Sequence, residues 1–213
     1  MGCRMYLVRH GETAWNASMR YQGQTDVPLS GKGRQQAELL GKRLADLETE
    51  GFYASDLIRA YDTARIISQH HNQEIVILPE LRELNFGLWE GMNFNEIKSK
   101  YPEEMKLWGD KPLYTRIPGG ETIDEMTIRS VNAVKTIVEN HNKGNIVLVS
   151  HGGVIRSIVG TVLGMDMNNY WRLRLDNACL NIIDFPKPDK GILMLFNDLS
   201  HLKLKSNACH CAK

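Results

Sequence analysis

Two histidines stand in the same local setting, far apart in the chain. Arg9-His10-Gly11 follows the apolar run Met5-Tyr6-Leu7-Val8, and Ser150-His151-Gly152-Gly153 follows Ile146-Val147-Leu148-Val149. A neutral imidazole can attack phosphorus directly, and the phosphohistidine so formed divides one displacement into two. That reaction needs guanidinium groups to hold the equatorial oxygens and balance charge in the transition state. Arg9 is adjacent to His10. Arg59 stands in Ser55-Asp56-Leu57-Ile58-Arg59-Ala60, early in a predicted helix whose free N–H groups and dipole favour an anion. A leaving alkoxide also requires a general acid, and Glu83, just after a predicted strand, is the best candidate. Either histidine alone reads as a hydrogen-bonded residue at a strand end. The five residues together read as a phosphoryl-transfer site. Of the others, His70, His71, His141, His201 and His210 read as surface or loop histidines, Glu12 as an orienting residue and Arg156 as solvated or ion-paired.

The elements that must position these residues follow from the hydrophobic pattern. Short apolar runs that stop at polar residues and glycine read as buried parallel strands, and ligands of open α/β sheets bind beyond the carboxyl ends of such strands. Ser30 caps a helix from about Gly31, with Ala37, Leu39, Leu40, Leu44 and Leu47 as its apolar face. Phe52 to Ser55 reads as a strand, Leu57 to His71 as a helix, and Ile75 to Leu78 as a third strand stopped by Pro79. A helix follows from about Thr122 to Asn140, and another opens at Gly152 or Gly153. Cys179 to Phe185 and Ile192 to Phe196 read as strands joined by a turn over 187–191. The fold class expected is α/β: a three-layer sandwich with a mainly parallel central sheet flanked by helices. Residues 85–120 are less regular and read as a small inserted cap, in which Trp89, Met92, Tyr101, Met105 and Trp108 suit an apolar substrate pocket and plain cap packing equally.

Composition bounds the function. With 213 residues, 42% hydrophobic and 24% charged side chains, the chain suits one globular domain, expected over 1–205 with a flexible tail over 206–213. A net charge of +1 argues against a nucleic-acid or membrane partner. No apolar run approaches a membrane span, and the first residues lack a signal-peptide core. Cys3, Cys179, Cys209 and Cys211 show no disulfide framework, which suits a reducing cytoplasm. Cys209-His210-Cys211 has too few partners for four metal ligands, so no metal site is expected. The last strands leave a sheet edge through which an oligomer could pair.

Several motifs, in order from residue 5 to 202, resemble the histidine phosphatase superfamily, also named phosphoglycerate mutase-like. They are Arg9-His10-Gly11-Glu12-Thr13, Trp15-Asn16, Arg20-Tyr21-Gln22-Gly23, Asp26-Val27-Pro28-Leu29, Ser55-Asp56-Leu57 with Arg59-Ala60 and Thr63-Ala64, Glu83 with Phe86-Gly87, Trp89-Glu90-Gly91, and Ser150-His151-Gly152-Gly153. The resemblance implies that His10 is phosphorylated, that Arg9, Arg59 and His151 line the phosphate pocket, and that Glu83 is proton donor and later base. It also implies Asn16, Gln22 and Gly152 as substrate-binding residues, and catalysis without a metal or other cofactor on a small-molecule phosphate ester.

Within the superfamily, Tyr21-Gln22-Gly23-Gln24 replaces the Phe-Thr-Gly-Trp of mutases, and the arginine pair of their longer insertion is missing. Lys98, Lys100 and a lone Arg116 stand there. Less positive charge for a bisphosphate or carboxylate favours the phosphatase branch, which includes α-ribazole phosphatases, broad-specificity phosphatases and metal-independent phosphoserine phosphatases. The alternatives are a cofactor-dependent phosphoglycerate mutase and a catalytically silent phosphate-binding module. A silent module would lack the nucleophile or the acid, and this chain has both His10 and Glu83.

Overall fold

The computed structural model describes residues 2–141 and 143–203. Six strands, β1 (Cys3–Arg9), β2 (Gly51–Ala54), β3 (Ile75–Ile77), β4 (Gly144–Ser150), β5 (Leu180–Lys187) and β6 (Lys190–Asp198), form one sheet in the order β3-β2-β4-β1-β5-β6. β1 to β4 are parallel to one another, and β5 runs antiparallel to both β1 and β6. The register of β1 on β4 sets Arg9 opposite Ser150, so His10 and His151 leave the sheet side by side.

The helices are α1 (Ala14–Ala17), α2 (Gly31–Leu44), α3 (Ile58–Ser68), α4 (Phe94–Lys100), α5 (Pro102–Asp110), α6 (Ile123–Asn140), α7 (Gly152–Val162) and α8 (Ser200–Lys203). Alternation along the strands divides the core in two. Val8, Val147 and Val149 meet Leu40, Leu44, Ala64 and Ile67 of α2 and α3. Met5, Leu7, Ile146 and Leu148 meet Met126, Val134 and Ile137 of α6 and Ile155, Ile158 and Val159 of α7. The three-layer sandwich is thus as the pattern predicts.

The differences are local. The helix predicted to His71 stops at Ser68. The third strand is a three-residue edge with Val76 and Ile77 exposed. His201, expected at the surface, is buried. The 85–120 segment holds α4 and α5 between single 3₁₀ turns at Gly87–Trp89 and Pro112–Tyr114. Trp89, Met105 and Trp108 are buried in the core, with Met92 and Tyr101 packed on them and the two tryptophans edge to face at 6.1 Å. These five residues are therefore cap packing, although Met105 and Trp108 also reach an outer hollow on the cap. Among the described residues, no helix is long and apolar enough to cross a membrane. The Cys209-His210-Cys211 segment lies outside the described residues.

Candidate active site

The carboxyl ends of β1 and β4 deliver His10 and His151, both buried, with ring centroids 5.2 Å apart and planes tilted by 58°. Nδ1 of His10 lies 2.7 Å from the Gly11 carbonyl. A carbonyl can only accept, so Nδ1 carries the proton and Nε2 keeps its lone pair. Burial, then Arg59 and Arg9, hold the His10 pKa well below 6.5, which keeps the ring neutral at physiological pH.

His151 is neutral for similar reasons: burial first, then Arg59, His10 and Arg9. Its Nε2 lies 2.9 Å from Ser55 Oγ, which itself accepts the Leu57 N–H. Nδ1 is a buried atom with no protein partner; when it carries the ring proton towards an anion, Nε2 accepts from the serine hydroxyl.

Arg59, on the first turn of α3, is fully buried. It donates to the Gly23 and Thr25 carbonyls at 2.6 and 2.9 Å. Arg9 donates to Leu175 O at 2.6 Å. Burial lowers the pKa of both, that of Arg59 to about 10, and a guanidinium keeps its proton in proteins. The Nε atoms of both are buried without a protein acceptor. Buried donors in native proteins are normally satisfied, and these, with His151 Nδ1, suit the oxygens of an anion.

Glu83 is seated on α7. Both carboxylate oxygens lie 3.1 Å from the Gly153 N–H, and Oε1 also accepts from Leu84 N–H. A Cβ at Gly153 would stand 2.1 Å from that Oε1, so only glycine leaves room for the carboxylate. The loop carrying Glu83 is clamped by Arg129, which donates to the Glu80, Arg82 and Glu83 carbonyls and pairs with Glu121.

Arg9, His10, Asn16, Gln22, Arg59 and Glu83 line one cavity of about 220 Å³. Asn16 Oδ1 accepts from Thr13 N–H and from Asn177, and Gln22 Oε1 accepts from the Thr13 hydroxyl, which leaves their amide N–H groups for the cavity. His151 packs ring against ring with His10 and is not itself among the lining side chains. Gly152 is not on the wall: its Cα position abuts Arg9, where a Cβ would lie 3.3 Å from Nε. It makes space for Arg9.

The wall also holds Met19, Arg20, Tyr21, Gly23, Phe86, Arg156 and Trp171. Arg156 is half-buried on that wall, and among the described residues no carboxylate pairs with it. It donates to Leu173 O at 2.7 Å and lies 5.1 and 5.5 Å from the Tyr170 and Trp171 ring centroids. The shortage of positive charge expected from Lys98, Lys100 and Arg116 is thus made up from elsewhere in the chain. Helical spacing carried a signal for Arg156, which is four residues, one turn, beyond Gly152. Ser55 stood in a quoted motif without a role of its own, and Trp171 and Arg129 had no comparable signal. Among the described residues, no group of three or more His, Cys, Asp or Glu side chains is arranged to hold a metal ion.

Comparison with known proteins agrees with this geometry. Residues 5–198 match the histidine phosphatase superfamily, branch 1. Phosphoserine phosphatase 1 of Hydrogenobacter thermophilus is 32% identical over 199 residues, covering 93% of this chain and 94% of that protein. The Photorhabdus laumondii protein named "Probable phosphoglycerate mutase GpmB" is 38% identical over 203 residues, with 93% and 94% covered. The solved structure of the α-ribazole phosphatase from Shigella flexneri superposes with a TM-score of 0.83 at 29% identity, covering 92% of this chain and 96% of that one. The chain belongs to the histidine phosphatase superfamily, branch 1, and is a phosphoric monoester hydrolase.

Proposed function

We propose that hydrolysis runs through a phosphohistidine on His10. The observation that carries this reading is the commitment of His10 Nδ1–H to Gly11 O, which leaves the Nε2 lone pair of a neutral ring at a cavity walled by Arg9 and Arg59. In the first step Nε2 forms a bond to phosphorus as the ester P–O bond breaks, and the departing alkoxide takes a proton from the carboxylic acid form of Glu83. Arg9, Arg59 and the Nδ1–H of His151 hold the equatorial oxygens, with Asn16 and Gln22 adding hydrogen bonds. In the second step water gives a proton to the Glu83 carboxylate and attacks phosphorus. The P–N bond breaks, its electrons return to Nε2, and inorganic phosphate leaves.

The substrate is a small-molecule phosphate ester. The likeness to an α-ribazole phosphatase and a phosphoserine phosphatase makes their esters the first to try. Residues 1–205 act as one unit in this reading, in a reducing cytoplasm, in keeping with Cys3 and Cys179 as buried free thiols. The likeness to GpmB favours a second reading, phosphoglycerate mutation, tested by interconversion of phosphoglycerates with a bisphosphate primer.

The test is phosphate release from 4-nitrophenyl phosphate, α-ribazole phosphate, phosphoserine and 3-phosphoglycerate in EDTA, beside His10→Ala. Turnover in EDTA that falls by at least about 10³-fold in the variant, with no acid-labile phosphoenzyme, is the expected result. Near wild-type turnover by His10→Ala would refute the nucleophile.

A further inference from the structure

The cavity wall carries more positive charge than a phosphate monoester requires. Its charged side chains are four arginines, Arg9, Arg20, Arg59 and Arg156, and one acid, Glu83. Arg20 is matched by Glu96 at 3.3 Å and by the Gly91 carbonyl. Arg9 and Arg59 balance the two charges of a phosphate ester dianion. Glu83 is uncharged when it acts as the acid of the first step. Arg156 is then left over: among the described residues no carboxylate forms an ion pair with it.

Arg156 is also held as a binding group is held. Its Nε is tied to Leu173 O, and its guanidinium lies over the rings of Tyr170 and Trp171, while the Tyr170 hydroxyl is close enough to interact with it. Cation–π contact with two rings and one backbone bond fix the plane of the guanidinium without neutralising it. A Cβ at Gly152 would lie 3.3 Å from Arg9 Nε and 3.6 Å from Arg156 Nη1, so the two cations are near neighbours. Like charges are costly to keep together, and an anion between or beside them relieves the cost.

We infer that Arg156 is a specificity-determining residue that binds a second anionic group of the substrate, a carboxylate a few bonds from the phosphate. The inference rests on the phosphatase reading above and names the substrate class it leaves open. A carboxylate suits a planar guanidinium, which pairs with it through two parallel N–H···O bonds. It must be near the phosphate because Arg156 and His10 share one cavity of about 220 Å³, the bulk volume of ~7 water molecules.

The experiment compares 3-phosphooxypropanoate with its uncharged primary amide, using 4-nitrophenyl phosphate to report the phosphatase chemistry separately. The wild-type kcat/KM should favour the acid by about 10–100-fold, the usual worth of a charge-assisted hydrogen bond. In Arg156→Gln that ratio should collapse towards one, and Arg156→Lys, which keeps the charge but not the fork, should restore part of it. A wild-type ratio near one would overturn the inference while leaving 4-nitrophenyl phosphate turnover, and so the phosphatase reading, intact. A loss shared equally by acid and amide in Arg156→Gln would also overturn it, giving Arg156 a purely structural task. If the wild type turns over none of the three esters, the phosphatase reading fails and takes this inference with it.

Discussion

At the scale of single residues, the site depends on which ring nitrogen carries each proton. For His10 a backbone carbonyl decides, but for His151 the decision belongs to the hydroxyl of Ser55. Ser55 is thus a positioning residue, acting on substrate only through the imidazole. In Ser55→Ala, His151 loses the donor that holds its proton on Nδ1, and the ring should populate both tautomers. Nitrogen-15 spectra of the ring should show the Nδ1–H form in the wild type and a mixture in the variant, with kcat/KM reduced by about tenfold, the effect of one lost buried hydrogen bond. A wild-type ring protonated on Nε2 would contradict this account. The sequence pointed to His10, Arg9, Arg59 and Glu83 because each follows a recognisable apolar run or opens a helix. It could not point to Ser55 or Trp171 in these roles, because each is defined by a partner at the other side of the fold. Ser55 meets a histidine 96 residues away.

At the scale of elements, α7 does two things at its first turn: it follows His151, and it seats Glu83 on the Gly153 N–H. Gly153→Ala tests the seat. In a helix alanine is ordinarily better than glycine by about 1 kcal/mol, so a loss of function cannot be put down to helix propensity. The methyl group would stand where the carboxylate is, 2.1 Å from Oε1. Hydrolysis of alkyl phosphates should fall by about 100-fold or more, and that of 4-nitrophenyl phosphate less, since a good leaving group needs less protonation. Equal losses for both esters would show that Glu83 is not the proton donor. A second device joins the floor of the cavity to the cap. Glu90 accepts the N–H groups of Gln24, Thr25 and Phe86, and Gly23, at φ +55°, leaves it room. The strands and the helices on both faces were legible as periodicity, but these joints were not. Periodicity reports which face of an element is buried, not which loop another loop will grip.

At the scale of the whole molecule, burial of neutral histidines links stability to pH. His10 and His151 are held well below 6.5, and burial brings His201 down to about 4. Unfolded, each titrates near 6.5. Between the folded and unfolded values the unfolded chain binds more protons, so unfolding free energy rises with pH in that window and is lost on acidification. Each fully depressed histidine contributes about 1.4 kcal/mol per pH unit there. The melting midpoint should be steady above about pH 7.5 and fall as pH drops through 6.5 towards 5. The paired carboxylates Asp56 and Asp184 titrate below their ordinary 3.8 and stay out of that range. A midpoint that holds or rises from pH 7 to 5, measured by calorimetry, would contradict the assignment of these rings as neutral.

The strand order has a consequence in time. β1 is made first, but it lies between β4 and β5, and its partner residues come roughly 140 and 180 positions later. At the usual pace of synthesis, ~5–20 residues per second, β1 waits on the order of ten seconds for either neighbour. Through that interval the nascent chain already carries Arg9, His10, Arg59 and Glu83 but no sheet to hold them in register. A ribosome stalled before residue 144 would therefore display most of the chemistry of the site and none of its geometry.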